Sequence, residues 1–249
     1  MKFSIVTVAF NSGRTIADTL SSVAMQTGAD IEHIVINGAS TDDTLAVVRS
    51  HGAHVQKTVS EPDGGIYDAM NKGLALASGD FVGFLNADDM LAAPNVIASI
   101  ADAASAPSID AVCGDLVYVR KDRSDAVVRY WRCGKFSRSR LRFGWMPPHP
   151  TLYVRRSLLG ELGGFDTRLQ IAADYDFILR YLNRPGMQVA YVPKVLVKMR
   201  LGGASNRSLQ AMLRKSREDL VALKQNKVGG LVTLLCKNAR KLPQFFATP

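Results

Sequence analysis

Hydrophobic and polar positions over the first ninety residues follow two alternating rhythms. Phe3-Ser4-Ile5-Val6-Thr7-Val8-Ala9 is a dense apolar run of strand length. Asn11-Ser12-Gly13 breaks it, and Thr15 to Gln26 then takes up helical spacing through Ile16, Leu20 and Val23. Ile31 to Asn37 predicts a second strand. Ser40-Thr41-Asp42-Asp43 has the character of an N-cap with acidic first-turn residues, opening a helix that runs to Ser50. Val55 to Val59 predicts a third strand. Ile66, Ala69, Met70, Gly73 and Ala77 form one stripe of a further helix, which Gly79 ends, and Phe81 to Leu85 is a fourth apolar strand. Strand and helix alternating in this order predict an α/β fold with a mostly parallel central sheet flanked by helices. Such sheets bind ligands beyond the carboxyl ends of their strands.

Past Pro107 the pattern is less regular. Ala111–Val119 and Ala126–Trp131 suggest strands of a hairpin, and the basic, proline-bearing stretch Ser137–Pro150 suggests a loop. Arg155–Leu162 and Tyr175–Arg184 have helical spacing. Gln188–Val192 and Val195–Arg200 are strand-like, Leu209–Leu223 is an amphipathic helix, and a second helix follows Val228. No repeat or low-complexity linker interrupts the chain. The expectation is one domain over residues 1–204, divided near residue 110, with a basic amphipathic helical extension over 205–249.

Composition narrows the class. The 249 residues are 47% hydrophobic and 21% charged, which is a globular balance. Met1 to Phe10 lacks the long apolar core and cleavage site of a signal peptide. No uncharged apolar run approaches the ~18 residues that span a bilayer. Cys113, Cys133 and Cys236 are too few and too scattered for a disulfide framework or a zinc site, which suits a reducing cytosol. His51 and His54 have no neighbouring thiol or carboxylate, so a solvated loop is expected for them.

The net charge of +9 is unevenly spread. Residues 1–110 carry 5 Lys/Arg against 13 Asp/Glu, whereas residues 111–249 carry 26 against 9. Acid therefore collects where the sheet ends, and the basic excess faces something else. Nucleic acid is not the expected taker, because neither an aromatic-interleaved RNA motif nor a helix-turn-helix signature is present.

The sharpest feature is Gly83-Phe84-Leu85-Asn86-Ala87-Asp88-Asp89, where a buried strand runs into two adjacent carboxylates. Adjacent acids repel each other and are costly without a cation, and Mg²⁺ and Mn²⁺ favour carboxylate and phosphate oxygens. The other reading makes Asp88 and Asp89 a helix cap, with Pro94 marking a helix start nearby. Two readings also stand for Gly64-Gly65: close backbone approach to a phosphate, or a simple turn. Lys72 is open between phosphate neutralisation and a solvated helix face.

Four segments in order resemble family 2 of the inverting glycosyltransferases, with the A-type (Rossmann-like) glycosyltransferase fold. They are Ser4–Asn11, Val35–Thr44, the long Ser60-Glu61-Pro62-Asp63-Gly64-Gly65-Ile66-Tyr67-Asp68-Ala69-Met70-Asn71-Lys72-Gly73, and Phe84–Asp89. The resemblance implies that residues 1–110 bind a nucleotide-sugar and that 111–204 form the acceptor side. Ala9, Phe10 and Asn11 would sit by the base, and Asn37 by base or ribose. Asp63, Lys72, Asn86, Asp88 and Arg200 would border the rest of the donor, and Asp88 and Asp89 would hold Mn²⁺ or Mg²⁺. Position 37 departs from the family's usual Asp, and Asn86 stands where the first Asp of its DxD segment is common. An amide still hydrogen-bonds a base or ribose.

An inverting displacement needs a base for the acceptor hydroxyl and charge stabilisation for the departing diphosphate. Gly163-Gly164-Phe165-Asp166 followed by Ala172-Ala173-Asp174-Tyr175-Asp176 resembles the family's acceptor-side motif and maps the base to Asp174, with Asp176 as runner-up. Asp174 also suits an N-cap, which does not exclude catalysis. Asp166 is expected to fix its turn. His149, between prolines, is either acceptor-side or structural. Met199–Ser205 resembles a late motif near the diphosphate, with Arg200 as the candidate phosphate partner.

Residues 194–249 carry 12 Lys/Arg and 2 Asp/Glu. Leu231, Leu235, Leu242, Phe245 and Phe246 fall near one helical face, with Lys237, Arg240 and Lys241 near the other. That suits either an anionic membrane surface or docking on the protein's own core. The resemblance implies a glycan acceptor carried on a polyprenyl diphosphate. It also implies a cytoplasmic location, peripheral on the inner face of the plasma membrane, in bacterial exopolysaccharide, capsule or lipopolysaccharide synthesis. Two rivals are a sugar nucleotidyltransferase, which Asn11-Ser12-Gly13-Arg14 is too short to serve, and a non-catalytic nucleotide-sugar-binding protein at the membrane.

Overall fold

The computed structural model describes residues 1–202 and 209–245. Gly203, Ala204, Ser205 and Phe246, and the expected boundary at residue 204, lie outside the described residues.

The four apolar runs form strands β1 (Lys2–Ala9), β2 (Asp30–Asn37), β3 (Val55–Ser60) and β4 (Phe81–Phe84). They are parallel, in the order β3-β2-β1-β4. Helices α1 (Ile16–Ala24), α2 (Thr44–His51) and α3 (Ile66–Leu76) connect them. Burial explains the continuous apolar pattern: Phe3, Ile5, Val6, Ile34, Ile36 and Phe81 are wholly buried between helices on both faces. Helix α3 approaches the sheet closely because Gly73 has no side chain; a Cβ there would stand 2.2 Å from Val6 Cγ1.

The rest of the sheet is mixed. A two-residue strand β5 (Met90–Leu91) and helix α4 (Val96–Ala103) follow β4. Strands β6 (Ala111–Val119) and β7 (Val127–Trp131) form the expected hairpin. Strand β8 (Tyr153–Arg155) inserts antiparallel between β4 and β6, and β9 (Val189–Arg200) runs parallel to β6 and pairs with β5.

Several expectations are corrected. Residues 188–192 and 195–200 belong to one strand. Its register skips Pro193 and Lys194, because proline has no N–H for the ladder and the chain bulges around it. Residues 155–162 comprise the end of β8, a 3₁₀ turn and a single α-turn, α5 (Leu159–Leu162). The stretch 137–150 includes 3₁₀ turns over Arg138–Phe143 and from His149. Helix α2 starts at Thr44. Asp42 instead accepts hydrogen bonds from the amides of Gly13 (3.0 Å) and Thr44 (3.0 Å), tying the β1 loop to the β2 loop.

Helix α6 (Ala173–Leu182) carries the acceptor-side acids, and α7 (Leu209–Gln225) and α8 (Leu231–Ala239) complete the chain. Ala222, Leu223, Val228 and Leu234 of this C-terminal part share the principal hydrophobic cluster with β4, β6 and α6. No helix among the described residues is long and apolar enough to cross a membrane. Cys113 and Cys133, distant in sequence, meet with 3.3 Å between their sulfurs as free buried thiols.

His54 is not a solvated loop residue. Its Nε2 lies 3.0 Å from Nδ1 of His33, and Nε2 of His33 lies 2.9 Å from Thr7 Oγ1. His33 is wholly buried; desolvation first, and then the neighbouring His54, pull its pKa down to about 3. An unfolded histidine titrates near 6.5. Below that pH the unfolded chain binds a proton that folded His33 refuses, so stability falls as pH drops from about 6.5 toward 3. The slope from this group is at most about 1.4 kcal/mol per pH unit. Urea denaturation at pH 7.5 and 5.5 should show the loss, and His33→Gln should flatten it. An unchanged slope in the variant would remove His33 as its source.

Candidate active site

The carboxyl ends of β1, β2 and β4 converge on one edge. Ala9 pairs with Asn37 in register, the Gly38 amide donates to the Ala9 carbonyl (2.9 Å), and the Ala87 amide donates to Val8 (3.3 Å). Asn11 and Ala39, just past two of these strand ends, both adopt left-handed backbone conformations, with φ 49° and 54°. For alanine this conformation is unfavourable by about 1–2 kcal/mol and persists only where surroundings hold it. The holding contacts are visible. The Asn11 amide donates to Ser40 Oγ (2.9 Å), and Asn11 Oδ1 accepts from the Thr41 amide (3.0 Å). Phe10 projects from this edge with 64% of its surface exposed, free to cover a planar ring.

Asn37 is buried. Its Nδ2 donates to Ser60 Oγ (2.8 Å) and its Oδ1 accepts from the Ser40 hydroxyl. Asp63 folds back so closely on Gly38 that a Cβ there would meet its Oδ2 at 2.3 Å, and it accepts from the Gly65 amide (2.9 Å). Gly65, with φ +119°, supplies a turn that other residues rarely adopt. Lys72 points back to Glu61 (2.8 Å) and the Pro62 carbonyl (2.8 Å), so it braces this loop.

Asp88 and Asp89 do not cap a helix. Helix α4 begins at Val96 with Asn95 at its N-cap, and β5 separates it from the acids. The two carboxylates also differ. Asp89 is wholly buried and accepts from the Arg200 amide (3.2 Å) and Asn86 Nδ2 (3.1 Å). Burial first, and then the charge of Asp88, raise its pKa well above the usual carboxylate range. Asp88 is half-buried, and its pKa is also raised by burial. Among the described residues no side chain donates a hydrogen bond to it. Beside it, Asn86 Oδ1 is buried without a partner. A carboxylate with no side-chain donor among the described residues and an orphaned amide oxygen are the kind of oxygen ligands that could hold Mg²⁺ or Mn²⁺. Among the described residues no group of three or more His, Cys, Asp or Glu is arranged to hold a metal.

Arg200, at the end of β9, is buried behind this segment. It pairs with Asp18 of α1 and donates to the Asp88 carbonyl (3.2 Å). Thr19 of the same helix donates to the Asp89 carbonyl (2.7 Å).

Asp174 lies in the first turn of α6 and is not its N-cap, which is Ala172. Its Oδ1 accepts from the Tyr175 amide (2.7 Å) and lies 3.3 Å from Tyr67 Oη, whose single proton is shared with the nearer Ile171 carbonyl (2.8 Å). The hydroxyl of Tyr118 on β6 feels both Asp89 and Asp174. Burial raises its pKa, Arg129 opposes this, and the two acids add to the rise. The space beside Tyr118 is therefore within electrostatic reach of both carboxylates. His149 lies beneath that space, stacked on Phe84 (5.4 Å) and edge-on to Phe165 (5.6 Å). Burial lowers its pKa against the pull of Asp174, and its Nε2 has no partner. Asp176 points elsewhere: it pairs with Arg180 (2.8 Å) and accepts from Asn226 (2.7 Å), joining α6 to the C-terminal helices. Asp166 binds Arg168 (2.7 Å) and fixes its turn, as expected.

Sequence reasoning assigned no role to several residues that position this site. Tyr67 lies inside the Ser60–Gly73 segment. Asn71 donates to the Phe165 carbonyl (2.9 Å) and accepts from its amide (2.8 Å), fastening α3 to the Gly163–Asp166 turn. Glu218 of α7 accepts from the amides of Ile171 (2.7 Å) and Ala172 (3.0 Å), immediately before Asp174.

A family model described as Glycosyl transferase family 2 matches residues 4–162. A PGL/p-HBAD biosynthesis glycosyltransferase of Mycobacterium bovis is 32% identical over 214 residues, covering 82% of this chain and 79% of that protein. Among solved structures, a mannosyltransferase from Pyrobaculum calidifontis in complex with GDP-Man and Mn²⁺ matches with a TM-score of 0.68 at 19% identity. The match covers 98% of this chain and 72% of that one. S. aureus TarS 1-349 in complex with UDP-GlcNAc matches with a TM-score of 0.67 at 20% identity, covering 98% and 73%. At these identities the structures establish the fold, which is the A-type glycosyltransferase fold.

The Glu218 contacts carry a stability prediction. Glu218→Ala leaves two backbone donors without their acceptor, at a cost of about 1–3 kcal/mol. Glu218→Gln, which keeps an acceptor oxygen, should recover most of it. Urea midpoints measure both, and wild-type stability in the alanine variant would show that the contact contributes nothing.

Proposed function

The chain belongs to glycosyl transferase family 2, and from that premise we propose that it moves a sugar from a nucleotide-diphospho-sugar to an acceptor hydroxyl with inversion at the anomeric carbon. The observation that carries this reading is that one packed series of rings joins the strand leading into the acid pair to the separate acid on α6: Phe84 stands edge-on to Phe165 (5.0 Å), Phe165 stacks on Tyr67 (5.6 Å), and the Tyr67 hydroxyl lies 3.3 Å from Asp174.

In this reading the nucleotide base lies against Phe10, between Ala9 and Asn11, and Asn37 and Asp63 border the base and ribose. Asp88 and the Asn86 Oδ1 are the groups that would hold Mn²⁺ or Mg²⁺, with Asp89 as the buried wall behind them and the donor diphosphate completing the coordination. The cation supplies charge neutralisation for the departing nucleoside diphosphate. Asp174 takes the proton from the acceptor hydroxyl as that oxygen forms its bond to the anomeric carbon. Tyr67 and the Tyr175 amide fix one carboxylate oxygen of Asp174 and leave the other to face the hydroxyl. Arg200, engaged by Asp18 and the Asp88 carbonyl, positions the acidic segment and extends positive potential toward the diphosphate. Asp176 serves the packing of α6. His149, neutral and stacked, shapes the floor on the acceptor side. The acceptor is a growing cell-surface glycan on a polyprenyl diphosphate, met from the cytoplasm.

Asp174→Asn should lower turnover by at least a thousandfold while leaving donor affinity within about twofold. Transfer at the wild-type rate would overturn the base assignment. A thermal-shift panel of UDP-, GDP- and dTDP-sugars with Mn²⁺ should reveal one donor class that stabilises the protein. Asp88→Asn should abolish the Mn²⁺-dependent part of that shift. It should leave the metal-free protein at least as stable, because it relieves repulsion on Asp89. No stabilisation by any donor would sink the proposal.

A further inference from the structure

Helix α8 docks with Thr233, Leu234 and Lys237 inward, and most of its aliphatic side chains outward. Lys237 is 5% exposed, while Leu231, Val232 and Leu235 on the same nine-residue helix are 62%, 74% and 61% exposed. An amphipathic helix on a globular core ordinarily does the reverse. The docking is nevertheless specific. Lys237 Nζ reaches Asp219 of α7 (2.7 Å) and stands 3.3 Å above the ring of Tyr175, the residue after Asp174. Gly144 lets the helix backbone in: a Cβ there would lie 2.2 Å from the Lys237 amide. Burial of Lys237 fixes the helix so that its aliphatic face points outward.

Leu242, seven residues beyond Leu235, extends that face and is 66% exposed. Phe143 is exposed beside it, its carbonyl bound by Arg240 Nε (2.8 Å). The surroundings are uniformly basic. Residues 220–249 contain five Lys/Arg and no acidic residue, and residues 133–145, which pack on α8 through Gly144, contain four and none.

We propose that the outward face of α8, with Leu242 and Phe143, is the surface by which this protein lies on an anionic lipid bilayer. Apolar side chains ringed by arginine and lysine match the acyl boundary and the anionic headgroups of such a surface. A second copy is the poorer occupant, since a symmetric contact would oppose two faces of the same sign. The placement has a functional consequence. Helix α8 packs on α7 and on the Arg138–Phe143 turn and touches Tyr175 through Lys237, so a bilayer held at its outer face is coupled to the turn of α6 that carries Asp174. The binding surface itself is independent of the sugar chemistry.

Sedimentation with phosphatidylcholine vesicles containing 30% phosphatidylglycerol tests the surface. The full chain should partition onto them at least tenfold more than onto phosphatidylcholine alone, and the excess should fall severalfold in ~0.5 M salt. Leu231→Ser, Val232→Ser and Leu235→Ser combined should reduce binding at least tenfold. Because these side chains are exposed, melting temperature and any donor-induced thermal shift should be unchanged. Arg142→Glu should weaken binding to anionic vesicles only. Undiminished binding by the triple variant would overturn the proposal. So would failure of the wild type to bind anionic vesicles, or a concentration-dependent dimer that the triple variant abolishes.

Discussion

Two carboxylates held side by side at a strand end, one of them wholly buried, are the constraint that organises the carboxyl edge of the sheet. Asp88 and Asp89 each raise the energy of the other's charge, and burial adds to it. The surrounding chain answers Asp89 and leaves Asp88 unanswered. The Arg200 amide and the Asn86 side chain bind the buried acid, Thr19 binds its carbonyl, and Asp18 anchors the arginine. These contacts draw α1 and the far end of β9 onto the segment. The residual charge faces the open edge, where a cation and a diphosphate would offset it. On the proposed reading, a strand end that is unfavourable alone would become favourable when a cation and a charged donor are bound.

Much of the donor half was legible because its elements are local. Continuous apolar runs specify strands buried on both faces, and helical spacing between them leaves a parallel arrangement as the natural outcome. Phe10, Asn37 and Asp88 could be placed on one edge because every one of those strands ends there. The choice between cap and ligand for Asp88 and Asp89 was not legible. It depended on where α4 starts, and a helix boundary five or more residues away is set by the pairing of β5 with β9, more than a hundred residues downstream.

The acceptor half was harder to read for the same physical reason. Strand β8 has three residues and enters the sheet only because β4 and β6 offer it two edges. Asp174 and Asp176 are two positions apart on one helix, and nothing local says which faces the site. The partners distinguish them: Arg180 and Asn226 occupy Asp176, whereas Asp174 meets Tyr67 of α3 at 3.3 Å. Glu218 leaves no signal in its own neighbourhood, since the amides it accepts from lie 46 and 47 residues earlier.

The C-terminal helices therefore change meaning between sequence and structure. As a pattern they form a basic amphipathic extension, to be set against either a membrane or the core. In the fold the core takes one face, and the proposed membrane contact concerns the other. Glu218 holds the two residues before Ala173-Asp174, Asn226 occupies Asp176, and Lys237 reaches across Asp219 to the ring of Tyr175. Three polar contacts from α7, α8 and their connection thus converge on one turn of α6. Glu218, Asn226 and Lys237 are spent on the turn that carries the proposed base, and Leu231, Val232 and Leu235 remain outside to meet anything else. A tail that merely tethered the protein would not need to bury a lysine against the residue next to Asp174. The burial makes the orientation of the outer face and the orientation of Asp174 parts of a single rigid arrangement.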